Sequence, residues 1–165
     1  MPRESSENVD IVDYDERYGD AFARLNMEWL QKHFVVEPID RDVLMNPRRS
    51  IIDPGGVVLY ACTADLVVGT AALKIAGEGV FELTKMAVTE GYQGRGIGRD
   101  LLRAALARFH ELGGNRLYLE SNSSLATALT LYESAGFRHE TPPSRSEYAR
   151  ADVYMVYRPN AGKPG

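Results

Sequence analysis

Hydrophobic residues recur along the chain at two spacings, and the shorter spacing predicts strands. The segment VDIVDY near the start has strand composition, and so do three apolar runs between residues 55 and 88, which the turn signals TAD and AGEG separate. Connections this short predict an antiparallel meander. Two later segments, NRLYLES and DVYMVY, predict further strands.

The longer spacing predicts four helices. They cover RYGDAFARLNMEWLQKHF, then IDRDVLMN, which Pro47 stops, then the segment from Gly98 to Leu112, and finally SSLATALTLYESAG. The strands on either side of the third helix flank a crossover, so we expect them to be parallel neighbours in an otherwise antiparallel sheet. The pattern therefore predicts an α+β fold, a mixed and mostly antiparallel central sheet flanked by helices.

Composition narrows the class of protein. A length of 165 residues suits one domain, which we place at residues 9–158, between flexible ends at residues 1–8 and 159–165. A net charge of −4 argues against binding nucleic acid, and no apolar run approaches the length of a membrane span. Cys62 is the only cysteine and reads as a core residue, which fits a reducing compartment. We expect a cytoplasmic protein without a membrane partner.

Four glycines, Gly91, Gly94, Gly96 and Gly98, lie between the third strand of the meander and the third helix. A helix start offers unpaired N–H groups and a partial positive charge, and glycines let an anion approach that backbone. The segment QGRGIG is thus shaped to hold a pyrophosphate. The alternative is a surface turn whose glycines serve only positive φ. A dinucleotide-binding GxGxxG motif is excluded, because Arg99 stands where its last glycine belongs.

Two segments resemble a known family. QGRGIG matches the QxxGxG acyl-CoA signature of the GNAT N-acetyltransferase superfamily, and ALTLYESAGF resembles the second signature of that superfamily. The resemblance implies an N-acetyltransferase that uses acetyl-CoA and no metal. It implies that loop N–H groups bind the pyrophosphate and that the preceding strand hydrogen-bonds the pantetheine arm. The residues it assigns to the cofactor are Met86, Ala87, Val88, Gln93, Gly94, Arg95, Gly96, Ile97, Gly98 and Arg99.

The chemistry requires a base and an acid. An amine with a pKa near 10 is only about one part in a thousand neutral at pH 7, and the departing thiolate needs a proton. An arm extended back along the strand from Val88 covers roughly 20 Å to Glu82. The resemblance implies that Glu82 is the base and Tyr132 the acid. The alternatives are a solvent-facing carboxylate for Glu82 and a core aromatic for Tyr132.

One position departs from the superfamily pattern. Leu125 stands where many members carry an asparagine seven positions before the signature tyrosine. Asn122 offers a substitute contact to the pantetheine, or else serves as a turn or cap residue. The three histidines have neither the spacing of metal ligands nor a nucleophile beside them.

The sequence does not identify the acceptor. We expect a small-molecule amine or a peptide, and no motif selects among amino acid, polyamine, antibiotic and peptide. Assembly as a homodimer is also left open. Acidic side chains could attract the ammonium group of the acceptor or could be solvated helix charges; they are Glu28, Glu37, Asp40 and Asp42. A different class of function also remains, an acyl-CoA-binding module that senses or tethers without turnover.

Overall fold

A seven-stranded sheet forms the centre of the protein in a computed structural model that describes residues 8–64 and 66–159. Its spatial order is β1-β2-β3-β4-β5-β7-β6. The predicted flexible ends lie outside the described residues except for Asn8 and Pro159. The strands are β1 Val9–Asp13, β2 Val57–Thr63, β3 Leu66–Gly77, β4 Val80–Val88, β5 Arg116–Ser121, β6 Phe137–His139 and β7 Val153–Tyr157.

The strand pairing confirms the predicted topology. Strands β2, β3 and β4 form an antiparallel meander, and β4 pairs in parallel with β5 across the helix that connects them. All the other pairs of neighbours among the described strands are antiparallel. The short strand β6, which pairs with β7, was not predicted, because only one of its three residues is buried and no alternation is visible.

Four α-helices pack on the two faces of the sheet in the described part of the chain. Alternate residues of β2 point to opposite faces, so its continuous apolar run serves two cores: Leu59 packs with α3, and Tyr60 packs with α1 and α2. Cys62 is buried in the second of these cores, as predicted. The helices are α1 Ala21–His33, α2 Pro38–Met45, α3 Ile97–Glu111 and α4 Ala126–Ser134.

Strand β4 is irregular where it matters for a ligand. Thr70 pairs with Ala87 and Ala72 with Thr84, so one residue of β3 faces two residues of β4, and the bulged Lys85 has a φ of 56°. The span of roughly 20 Å expected between Val88 and Glu82 assumes a regular strand, and this bulge interrupts the regular strand.

The pairing of β4 with β5 is short. It ends at the pair of Glu82 with Tyr118, and beyond that point the two strands separate. No helix in the two described ranges is long and apolar enough to cross a membrane.

Candidate active site

A cleft of about 770 Å³ opens where β4 and β5 separate. One part of its wall comes from the second half of β4 and the loop that leads into α3. The other part comes from the end of β5, from α4, from α1 and from residues 148 to 151. Of the thirteen candidate site residues, the cleft wall includes all except Arg95 and Arg99.

The glycine-rich loop faces the first part of this cleft. Gly94 and Gly96 have φ values of 80° and 83°, and a Cβ atom at either position would meet no protein atom within 4 Å. The first N–H groups of α3 have no carbonyl partner inside the helix. Positive φ does not account for Gly91 and Gly98, which lie outside the left-handed region. The loop therefore fits an anion that approaches its backbone closely, as a diphosphate does.

Gln93 connects this loop to β4. Its side-chain amide donates a hydrogen bond to the carbonyl oxygen of Val88 at 3.0 Å, so one lone pair of that carbonyl is already used. Arg95 instead stacks its guanidinium 4.7 Å from the ring centre of Tyr92, and Arg99 is exposed. The loop thus offers backbone groups to the cleft, while its two arginine side chains lie outside the wall.

Glu82 lies on the face of β4 that looks into the cleft. Its neighbours Phe81 and Leu83 pack against the α3 core, so the alternation of the strand turns Glu82 to the opposite face. Burial first, and then the nearby carboxylate of Glu120, raise the pKa of Glu82 to about 7, against the opposing effect of Lys74 and Lys85. Glu82 is therefore a partly buried carboxylate on the cleft face of β4, and its role as the base stays a prediction.

Tyr132 on α4 reaches the same cleft. Its ring packs edge-on against Phe137, with 6.0 Å between ring centres, so it also belongs to the edge of the core. Burial raises the pKa of Tyr132 to about 12, and the hydroxyl therefore keeps its proton at neutral pH. Within the described residues this hydroxyl has no hydrogen-bond partner. The ring therefore packs at the edge of the core, while the role of the hydroxyl in the reaction stays a prediction.

Asn122 lines the cleft, but its amide is engaged in a turn. Its Oδ1 atom accepts a hydrogen bond from the backbone N–H of Ser124 at 2.9 Å, and its Nδ2 atom donates to the carbonyl of Arg150 at 2.7 Å. This turn delays the start of α4 to Ala126, three residues later than the sequence predicted. The turn interpretation of Asn122 therefore describes its geometry.

Sequence reasoning missed Glu120. It lies on the cleft face of β5, two residues after Tyr118, and its carboxylate accepts a hydrogen bond from the hydroxyl of Ser146. No motif marks it. Two observations could have indicated it. Leu117 and Leu119 face the core, so the alternation of β5 turns Glu120 to the other face, and β5 was predicted to lie beside β4 in parallel.

The four acidic side chains that could attract an ammonium group behave differently. Glu28 accepts hydrogen bonds from the hydroxyl of Thr89, and Asp42 is exposed on α2. Glu37 and Asp40 are paired with cationic side chains, so they present little free charge to an acceptor. Across residues 8–64 and 66–159, no group of three His, Cys, Asp or Glu side chains is arranged to hold a metal.

Residues 20–137 match the model of the Acetyltransferase (GNAT) family, and the chain belongs to that family. It is 35% identical over 124 residues to N-alpha-acetyltransferase RimI of Mycobacterium tuberculosis, which covers 70% of this chain and 73% of the relative. The matches to two other curated relatives span 28% and 42% of the lengths of those proteins.

Solved structures agree with this fold. A GNAT acetyltransferase from Staphylococcus aureus Mu50 superposes with a TM-score of 0.82 at 21% identity, over 92% of this chain and 99% of that one. The acetyltransferase yncA from Salmonella typhimurium, solved with its cofactor acetyl-CoA, superposes with a TM-score of 0.70 at 20% identity, over 96% of this chain and 98% of that one. The predictions of family and fold class are confirmed.

Proposed function

We propose that the protein transfers the acetyl group of acetyl-CoA directly to a primary amine of a small molecule or a peptide. The observation that carries this proposal is one continuous cleft that joins an anion-ready helix start to a carboxylate with a pKa of about 7 and a protonated tyrosine. Two relatives support it, because yncA was solved with acetyl-CoA and RimI is named an N-alpha-acetyltransferase.

The cofactor end of the cleft is suited to hold the donor. Backbone N–H groups of residues 94 to 99 bind the diphosphate, with Gly94 and Gly96 leaving the approach open. Met86, Ala87 and Val88 follow the bulge, where β4 no longer pairs with β5 but still pairs with β3. The backbone groups that point away from β3 are available to the pantetheine arm, apart from the Val88 lone pair that Gln93 occupies. Acetyl-CoA supplies the activated acyl group as a thioester.

Glu82 and Tyr132 then handle the protons. The Glu82 carboxylate removes a proton from the ammonium group, directly or through a water, so that the neutral nitrogen attacks the thioester carbonyl carbon. A C–N bond forms and the C–S bond breaks. The Tyr132 hydroxyl donates its proton to the departing sulfur. The newly bonded nitrogen gives up its second proton, which passes through water to the phenolate and restores the phenol, and Glu82 releases its own proton to solvent. Direct transfer needs no covalent enzyme intermediate, so the buried Cys62 has no role.

A panel of amines tests the proposal. Release of free CoA thiol from acetyl-CoA is followed with L-alaninamide, an alanine-initiated hexapeptide, spermidine and kanamycin, and acetyl-CoA binding is measured in parallel by calorimetry. We expect acetyl-CoA to bind and at least one amine to give turnover well above the rate without acceptor. Tight binding with no turnover for any amine would instead favour the acyl-CoA-binding module.

A further inference from the structure

Four charged side chains form a closed network beside the part of the cleft that Trp29, Phe34 and Tyr148 line, here named the acceptor part of the cleft. Asp40 is fully buried, and its Oδ1 atom accepts hydrogen bonds from Lys85 and from Arg150, each at 2.7 Å. The second guanidinium nitrogen of Arg150 reaches Oδ2 of Asp40 at 2.8 Å and Oε2 of Glu37 at 3.1 Å. Two cations and two carboxylates balance each other, so the network as a whole is neutral.

The network joins three separate parts of the chain. Lys85 comes from the β4 bulge, Glu37 and Asp40 form the capping box that starts α2, and Arg150 belongs to the segment before β7. Glu37 holds that segment a second time, since its Oε1 atom accepts a hydrogen bond from the backbone N–H of Ala149 at 3.0 Å. A segment without regular secondary structure is thereby attached to a helix start and to the central sheet.

The side chain held most directly by this arrangement is Tyr148. The ammonium group of Lys85 lies 4.6 Å from its ring centre, and the guanidinium carbon of Arg150 lies 4.7 Å away. Tyr148 lines the cleft together with Trp29 and Phe34 of the α1 region. The orientation of this aromatic wall therefore depends on two cations that Asp40 keeps in place.

The geometry of the network depends on ionised groups and on the arginine fork. Burial raises the pKa of Asp40, but hydrogen bonds from Arg150 and Lys85 outweigh it and bring that pKa to about 2. Asp40 is therefore charged throughout the neutral range. Arginine contacts both oxygens of one carboxylate at once, which a lysine at position 150 could not do. Removing one partner leaves part of a buried charge uncompensated.

We propose that Arg150 and Lys85 are positioning residues for the acceptor: through Asp40 they hold Tyr148 and its segment as one wall of the acceptor part of the cleft. This inference rests on the proposed acetyl transfer. The network meets β4 at the bulge itself, through Lys85, whereas the glycine loop that would hold the diphosphate follows the end of β4. Its loss should therefore weaken acceptor binding and leave donor binding intact.

The kinetic test uses Arg150→Gln, with Arg158→Gln as the matched control. Arg158 forms an exposed ion pair with Glu140 farther along the same part of the chain. For Arg150→Gln we expect acceptor KM, measured with the best amine of the panel, to rise at least tenfold, and the acetyl-CoA dissociation constant to stay within twofold. Arg150→Lys should lie between it and the wild type, and Arg158→Gln should match the wild type.

Two further measurements separate positioning from general damage. The double variant Asp40→Asn with Arg150→Gln removes one charge of each sign, so the remaining network is still neutral. It serves as a second test in case Arg150→Gln alone folds poorly, and it should show the same rise in acceptor KM. Hydrogen exchange can be measured without turnover. The backbone amides of residues 148 to 151 should exchange at least tenfold faster in Arg150→Gln than in the wild type, and at the wild-type rate in Arg158→Gln. Unchanged exchange, or equal losses of donor and acceptor affinity, would overturn the proposal. If the wild type shows no turnover with any amine, the proposed acetyl transfer is refuted. The hydrogen-exchange result then still tests whether the network holds the segment that carries Tyr148.

Discussion

Glu82 should cost the protein stability, and replacing it with glutamine should recover that stability in a pH-dependent way. The folded protein raises the pKa of this carboxyl from an ordinary 4.5 to about 7. A carboxyl whose pKa is higher in the folded state binds more protons when folded, so the wild type loses stability as pH rises from 4.5 to 7. A glutamine side chain has nearly the same shape and does not titrate.

The shift sets the size of the effect. A difference of about 2.5 pKa units corresponds to about 3 kcal/mol of unfolding free energy. The wild type has lost this full amount once the pH exceeds the pKa of Glu82 in the folded protein. Glu82→Gln should therefore be more stable than the wild type by about 3 kcal/mol at pH 8, and by less than about 1 kcal/mol at pH 5. The two proteins share every other titrating group, so their difference isolates this one carboxyl.

Urea unfolding at the two pH values measures this difference. Glu78→Gln, in the exposed turn between β3 and β4, is the control and should not change stability at either pH. A gain for Glu82→Gln that is equal at pH 5 and pH 8, or a loss at pH 8, would refute the reasoning.

The activity of the wild type should rise with pH over the range in which its stability falls. The ionised fraction of a group with a pKa of about 7 rises about tenfold between pH 6 and pH 8, and kcat/KM of the wild type should rise with it. Glu82→Gln should lose most turnover near neutral pH and recover part of it at high pH, where more of the amine is neutral. An effect confined to acceptor KM would remove Glu82 from the proton transfer and leave it as an acceptor contact.

Two other substitutions test the remaining roles. Tyr132→Phe keeps the ring on Phe137 and removes the hydroxyl, so kcat should fall at least tenfold with acetyl-CoA affinity within twofold; turnover within twofold of the wild type would end the acid assignment. Gly96→Val places a side chain at a φ of 83°, at a cost of about 1–3 kcal/mol, and blocks the approach to the loop, so calorimetry should show acetyl-CoA affinity reduced at least tenfold. Gly113→Val imposes similar strain at a φ of 68°, far from the loop, and should leave that affinity unchanged.

The sequence predicted the topology because its signals are local. Each strand and helix has its own periodicity, and short connections leave few ways to pair the strands of the meander. Strand β6 was missed because one buried residue, Phe137, makes no pattern. The bulge was missed because left-handed backbone is unusual for a lysine, so nothing in the composition indicates a φ of 56° at Lys85.

The acceptor part of the cleft could not be predicted for a different reason. Asp40 lies 45 residues from Lys85 and 110 residues from Arg150, and no spacing rule connects such positions. Glu37 and Asp40 were considered as attractants for an ammonium group, and in the structure their charge is taken up by these two cations. Glu120 could not be predicted for the same reason, since its role depends on its closeness to Glu82, 38 positions earlier in the chain, just beyond the end of the β4–β5 pairing.

The short pairing of β4 with β5 has a thermodynamic consequence. Among the described residues, three strand pairs, from Val80 with Arg116 to Glu82 with Tyr118, join the first four strands to the last three within the sheet. A donor bound as proposed would lie against β4 on one side and α4 on the other, and would bridge the two parts of the sheet beyond this short pairing. A ligand at 100 times its dissociation constant adds about 2.7 kcal/mol to the free energy of unfolding. In that case the resistance of this protein to unfolding and proteolysis rises and falls with the acetyl-CoA concentration around it.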